Sequence, residues 1–103
     1  MTSKEAYSLG WCFGAITNVA EDPFVGGDKT LACQRPYSAL AKIITEAKRR
    51  GILIGKLDRL VAEHMQNITS FPDLDKEGSE PYLPLPLQGD WQRGYFAGLT
   101  EKI

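Results

Sequence analysis

The sequence contains few of the side chains that most enzymes and metal sites require. It has one histidine and two cysteines among its 103 residues. Cys12 and Cys33 do not form a Cys-x-x-Cys pair, which is the spacing typical of structural zinc sites. His64 has no neighbouring motif that would supply a partner for general base catalysis. We therefore expect neither a metal nor a cofactor, and a protein that is not an enzyme.

Long apolar runs are also missing from the sequence. None approaches the roughly 20 residues that a helix needs to cross a bilayer, and the polar beginning with Lys4 and Glu5 lacks the apolar region of a secretory signal. These absences predict a cytoplasmic protein with no membrane partner. The remaining composition is ordinary for a folded chain, since 43% of the residues are hydrophobic and 24% are charged. A chain of this length holds one core, so residues 1–103 are predicted to form a single domain.

Apolar residues recur at spacings of three and four in four stretches, which is typical of amphipathic helices. The predicted helices cover residues 3–20, 36–50, 53–68 and 87–99. Turn-forming residues predict a loop over residues 21–33. Residues 69–86 are rich in proline and acidic side chains and predict an extended connection. The fold class is therefore predicted to be all-α, a small four-helix bundle with one long proline-rich connection.

Residues at the ends of the predicted helices support these bounds. Thr2 with Glu5 three residues later forms a capping-box sequence, and Pro36 suits the first position of a helix. Gly51, which follows three basic residues, is typical of a helix end. Because few residues separate Gly51 from the next helix, the second and third predicted helices are expected to form an antiparallel hairpin.

Glycines interrupt the first and last predicted helices. Gly10 and Gly14 lie four apart in the first helix, and Gly89, Gly94 and Gly98 fall within the last one. A helical glycine costs about 1 kcal/mol relative to alanine, so we expect a compensating contact, for which the close approach of a neighbouring backbone is the simplest source. For Gly10 and Gly14 this approach has two interpretations: dense packing within the bundle, or a docking groove for a partner.

The net charge of −1 hides an uneven distribution. Residues 35–59 contain seven basic and two acidic residues, a net +5, whereas the rest of the chain has five basic and eleven acidic residues and carries −6. Such segregation creates a local positive field on a protein that is acidic overall. Two interpretations follow: a surface that binds nucleic-acid phosphates, or a solvated helix face with a cationic helix end. The basic residues are Arg35, Lys42, Lys48, Arg49, Arg50, Lys56 and Arg59.

Three short motifs stand out in the sequence: Gln88-Gly89-x-Trp91-x-x-Gly94-Tyr95-Phe96, Ala6-Tyr7-x-Leu9-Gly10 and Phe71-Pro72. Together they resemble the pattern of a known family, the large subunit of type I-C CRISPR interference (Cascade) complexes. In this family the C-terminal region of that subunit is also made separately, as the small subunit. The family's Gln-Gly-x-aromatic-x-x-Gly-Tyr-aromatic motif is matched by Gln88, Gly89, Trp91, Gly94, Tyr95 and Phe96. The opening Ala-Tyr-x-Leu-Gly helix of the same region is matched by Ala6, Tyr7, Leu9 and Gly10. Phe71 and Pro72 fall where the family has a Phe-Pro pair before its last helix.

The resemblance implies a non-catalytic, small-subunit-like component of an RNA-guided surveillance complex. Such a bundle would stack along the assembly, in several copies, and would help to hold target or displaced DNA. The implied partners are the other subunits of a Cascade-type complex and the crRNA or target DNA, contacted through backbone phosphates by the seven basic residues. The residues implied for the structural core or an interface are Tyr7, Leu9, Gly10, Trp91, Gly94, Tyr95 and Phe96.

A second function, in another class, agrees with the same resemblance. Ala97 and Gly98 stand where the family has a polar pair rich in His and Gln, and residues 73–86 are more acidic and proline-rich than the family pattern. These departures agree with a virus- or plasmid-encoded anti-CRISPR-type protein that mimics the subunit and blocks the complex. The two functions differ in outcome, because a true subunit co-purifies with an active complex, whereas an inhibitor abolishes its DNA binding.

Overall fold

The computed structural model describes residues 1–20, 29–68 and 82–103. Within these ranges the chain forms helices and no strand, so the all-α prediction is confirmed. The helices are α1 (Ser3–Ala20), α2 (Lys29–Gln34), α3 (Pro36–Arg50), α4 (Gly55–Met65) and α5 (Leu85–Leu99). Most of the predicted proline-rich connection, residues 69–81, lies outside the described residues.

The predicted bounds of α1 and α3 are confirmed. At the start of α1 the Thr2 hydroxyl accepts a hydrogen bond from the Glu5 N–H at 3.1 Å, as the capping-box sequence predicts. Gly51 ends α3 in a left-handed conformation with φ 72°. Its N–H donates to the Lys48 carbonyl at 3.1 Å, which satisfies one of the carbonyls left open at the helix end.

Other predicted bounds are wrong. The predicted loop over residues 21–33 contains α2, a helix of six residues that adds a fifth helix to the predicted four. α4 is shorter than the predicted 53–68, because Ile54 precedes it in an extended conformation with φ −137°. α5 begins at Leu85, ahead of the predicted residue 87. Pro86 lies in the first turn of α5, where the N–H that proline lacks would have no helical partner.

The predicted antiparallel hairpin of α3 and α4 is also wrong. Both helices pack against α1, and the direct contact between them is slight. The link over residues 51–54 starts at the left-handed Gly51 and finishes on the extended Ile54.

The first helix, α1, is the centre of the bundle. It packs against α3, α4 and, most extensively, α5. Every residue from 8 to 16 is buried, as expected of a helix that is surrounded by others. The largest apolar side chains with less than 2% exposure are Trp91, Leu9, Ile16, Leu40 and Ile43.

Glycines bring α1 and α5 into backbone contact. Gly10 lies against the backbone of Trp91 and Tyr95, and Gly14 lies against that of Tyr95 and Leu99. Because the contacts advance in the same direction along both helices, α1 and α5 run parallel. The groove of small residues on α1 is therefore filled by α5, which supports dense packing and not a docking groove as the reason for these glycines.

The contact is reciprocal, because glycines of α5 meet the backbone of α1. Gly94 faces Tyr7 and Trp11, and a Cβ at Gly94 would lie 2.8 Å from the Tyr7 carbonyl carbon, closer than real Cβ atoms come. Gly98 faces Trp11 in the same way. The predicted backbone approach is confirmed for these two glycines. It is wrong for Gly89, since no described atom lies within 4 Å of a Cβ built there.

An aromatic cluster lies beside the glycine contact. The Trp91 ring centroid is 5.6 Å from that of Phe13 and 5.4 Å from that of Tyr95, while Phe13 and Tyr95 are 6.0 Å apart. These separations fall within the range in which tilted and offset aromatic pairs stabilise a core. The glycine contacts and this cluster together fix α5 against α1. Because α3 and α4 also pack against α1, α1 is the scaffold that positions their exposed surfaces.

Candidate nucleic-acid interface

A row of cations follows the exposed side of α3. Arg35, Lys42 and Arg49 are exposed and lie seven residues apart. Seven residues are almost two helical turns, so Lys42 and Arg49 leave α3 on nearly the same line, about 10.5 Å apart along the helix axis at 1.5 Å per residue. Arg35 is the residue that precedes the first turn of α3, with φ −129° and ψ 71°, and it extends this group of cations to the start of the helix. The other side of α3 faces the core through Leu40 and Ile43, which are at most 1% exposed. We call Arg35, Lys42 and Arg49 the α3 row.

A shared carboxylate lowers the charge at one end of this row. Glu46 accepts hydrogen bonds from the Nε atoms of Arg49 at 3.0 Å and Arg50 at 3.1 Å. The hydrogen bond from Arg49 is the main reason that the pKa of Glu46 is below its usual value, and the same pair raises the pKa of Arg49. The one Glu46 carboxylate pairs with two arginines, so this helix end keeps a net positive charge.

The remaining basic residues surround the link between α3 and α4. Lys48 and Arg50 lie in the last turn of α3, and Lys56 and Arg59 lie in the first turns of α4. All of them are exposed. Lys56 Nζ donates a hydrogen bond to the Lys102 carbonyl at 2.8 Å, which fixes its position. The sequence-predicted basic residues therefore form the α3 row and a second group at the link, not one face of a hairpin.

An exposed aromatic side chain adjoins the α3 row. The Arg35 guanidinium lies over the Tyr82 ring, with Cζ 4.9 Å from the ring centroid. Tyr82 is 59% exposed. Tyr82 therefore lies at the surface beside a cation. Neither the periodicity nor the charge pattern of the sequence contains a signal for this pair.

The residues that the resemblance implies for a core or interface fall into two groups. The interior group is Leu9, Gly10, Trp91, Gly94 and the half-buried Tyr95. Tyr7 and Phe96 remain 37% and 50% exposed. The Phe96 ring makes an edge contact with Tyr95, with centroids 5.5 Å apart. Tyr7 and Phe96 are therefore the members of this set whose side chains are accessible at the surface.

The polar and titratable side chains around α1 are engaged in packing. The Tyr37 hydroxyl donates a hydrogen bond to the buried Glu5 carboxylate at 3.2 Å. The His64 ring stacks on Trp11 with centroids 3.8 Å apart, and its Nδ1 is 2.9 Å from the Leu60 carbonyl. Among the described residues, no group of three or more His, Cys, Asp or Glu side chains is arranged to hold a metal ion.

Burial makes the Cys12 thiol chemically inert, which leads to a testable prediction. Burial raises the pKa of Cys12 from 9.0 to about 12, so its reactive thiolate is scarce at mildly alkaline pH. We expect mass spectrometry to find Cys12 unmodified by iodoacetamide in the folded protein and fully modified in guanidinium chloride. Equal labelling rates in the folded and unfolded states would contradict this prediction.

The same pKa shift makes stability depend on pH. Because the raised pKa of Cys12 favours the neutral thiol in the folded state, the contribution of this thiol to stability is complete below about pH 9 and is lost as the pH rises toward 12.

The chain was compared with protein-family models, curated proteins and solved structures. No protein-family model, no curated protein and no solved structure matches the chain. Over the described ranges, none of the helices has the length and apolar character needed to cross a membrane.

Proposed function

We propose that this protein is a non-catalytic, small-subunit-like component of an RNA-guided surveillance complex of the Cascade type. In this proposal the α3 row and the basic residues at the α3–α4 link bind backbone phosphates of the guide or target strands. Neighbouring subunits, including further copies of the chain, contact the remaining surface. The proposal joins the motif resemblance near both ends of the sequence with the charge of the α3 side of the bundle.

The observation that carries the proposal is the regular exposure of cations on a rigid helix. Lys42 and Arg49 leave α3 on nearly one line and the exposed Arg35 precedes the helix, while the other side of the helix is held in the core. Phosphate binding needs no catalytic geometry and no base-specific contact, but it does need cations held on a fixed scaffold. The acidic remainder of the chain, at −6, restricts such binding to this surface and disfavours it elsewhere.

The second candidate function, a mimic that blocks the complex, uses the same surface in another way. The mimic is favoured by Ala97 and Gly98, which stand where the large-subunit family has a polar pair rich in His and Gln. In this chain Gly98 supports the α1–α5 contact, so this turn is used for internal packing. Adding the purified protein to an assembled complex separates the two functions. A subunit joins the complex and leaves its DNA binding intact, whereas an inhibitor abolishes that binding.

Removing the basic residues at the α3 end should weaken nucleic-acid binding by the assembled complex. Replacing Lys48, Arg49 and Arg50 together by alanine removes three cations from one end of the surface. We expect the slope of log affinity against log salt to become shallower by about 0.7 to 0.9 for each phosphate that the variant no longer binds, because fewer counterions are released. Filter binding or anisotropy over a salt series measures both affinity and slope.

Two controls separate phosphate binding from effects on the helix. The triple variant frees Glu46 from its arginine partners and removes cations near a helix end, where each contributes about 0.3 to 1 kcal/mol, so its circular dichroism is measured first. A variant with Lys4 replaced by alanine removes an exposed cation outside the basic segment and should leave the slope unchanged. If the triple variant folds, assembles and keeps both affinity and slope, the basic segment is a solvated face and the proposal is wrong.

A further inference from the structure

Tyr82 is held rigidly at the surface of the bundle. The next residue, Leu83, is buried at 5% exposure. The Leu83 N–H donates to the Gln34 carbonyl at 2.8 Å, and its own carbonyl accepts a hydrogen bond from the Gln88 side chain at 2.7 Å. With its side chain and both backbone groups engaged, Leu83 fixes the position from which the Tyr82 ring projects into solvent.

The backbone that carries the cation over this ring is also fixed. Arg35 is the residue that precedes α3, and its carbonyl accepts the Ala39 N–H at 3.1 Å. The next residue, Pro36, is buried and has a restricted φ. Arg35 is also the first member of the α3 row. The aromatic ring and the row of cations therefore start at the same point on the surface.

The arrangement resembles neither a core contact nor a helix cap. A cation–π pair between exposed side chains contributes little to stability, and both Arg35 and Tyr82 are exposed. An exposed ring next to a cationic track is, in contrast, what proteins use to bind unpaired strands. Bases stack on the ring while the cations follow the phosphates, and Arg supports such stacks through its planar guanidinium.

We propose that Tyr82 is a stacking platform for a base of a single-stranded nucleic acid whose phosphates follow the α3 row of Arg35, Lys42 and Arg49. This inference rests on the proposed function, since it uses the same phosphate-binding surface, and it adds the state of the strand and the residue that recognises it. A duplex does not fit the platform, because its bases are already stacked on each other and their faces are covered.

The test is an NMR titration of the full chain with a short oligothymidylate at low salt, where weak binding is measurable. Tyr82→Ala should weaken binding roughly 5- to 150-fold, the range expected when one stacked base loses its aromatic partner. Tyr82→Phe keeps the ring and should bind as the unmodified chain does. A matched abasic strand carries the phosphates without bases, and its weaker binding should be the same for the unmodified chain and for Tyr82→Ala. An oligouridylate arm then establishes whether RNA is bound as well as DNA.

The outcomes decide separately whether Tyr82 stacks a base and whether the α3 row binds phosphates. If Lys42→Ala weakens both strands and Tyr82→Ala weakens only the one with bases, both the phosphate track and the platform are supported. If Tyr82→Ala weakens both strands equally, Tyr82 acts by positioning Arg35 and the platform is wrong. If Tyr82→Ala changes nothing while Lys42→Ala weakens binding, the platform is wrong and phosphate binding stands. If neither strand binds at low salt, the phosphate surface and the platform are both wrong.

Discussion

Replacing Gly94 by alanine is expected to destabilise the protein, although alanine is the better helix former. A Cβ at Gly94 would lie 2.8 Å from the Tyr7 carbonyl carbon, so α1 and α5 must move apart. Overpacking of this kind costs about 1 to 3 kcal/mol and sometimes more. It outweighs the gain of about 1 kcal/mol in helix propensity. Chemical denaturation measures the change as a lower free energy of unfolding.

The matched control for this prediction lies in the same helix. Gly89 is exposed, and no described atom lies within 4 Å of a Cβ built there. Gly89→Ala should therefore stabilise the protein by about 0.5 to 1 kcal/mol. The two substitutions are chemically identical and should have opposite signs. If both stabilise the protein, α1 and α5 do not meet through their backbones, and the parallel contact is wrong.

The other large effect is expected at the centre of the aromatic cluster. Trp91 has no solvent exposure and contacts the rings of Phe13 and Tyr95. Trp91→Ala should cost about 3 to 5 kcal/mol, because the change removes both buried surface and packing contacts and leaves a cavity. The free energy of unfolding of a domain of this size is about 5 to 10 kcal/mol in total, so the variant should be close to unfolding at physiological temperature.

A comparison within α5 tests whether burial is the cause. Phe96 is an aromatic residue on the same helix but is 50% exposed. Phe96→Ala should lower the melting temperature much less than Trp91→Ala, and Trp91→Phe should fall between them. Equal losses from the Trp91 and Phe96 substitutions would mean that Phe96 is buried in solution, for example against a second copy of the chain.

The sequence predicts those elements whose signals are local. The bounds of α3 follow from Pro36 at its start and Gly51 at its end, and those of α1 from the Thr2 cap and a long apolar pattern. α2 could not be predicted, because six residues are too few to show a helical period. The predicted hairpin of α3 and α4 failed because pairing of helices is a tertiary contact, and both helices pack against α1.

The candidate site also combines features that the sequence predicts with features that depend on tertiary contacts. The basic residues and the seven-residue spacing of Arg35, Lys42 and Arg49 are present in the sequence, and exposure follows once Leu40 and Ile43 are assigned to the core. The position of Tyr82 is not predictable from the sequence, because it depends on a hydrogen bond between Leu83 and Gln34, residues far apart in the chain. The choice of α5 as the partner of the α1 glycines is a tertiary contact of the same kind.

The parallel pairing of α1 with α5 also has a consequence for how fast the protein folds. Helical bundles usually fold quickly because their contacts are local in sequence. Here the main contact joins residues such as Gly10 and Trp91, about 80 positions apart. Closing a loop of that length costs about 4 kcal/mol beyond a constant term. The protein should therefore fold more slowly than helical bundles of the same size, and α1 should leave apolar surface uncovered, and open to aggregation, until α5 docks.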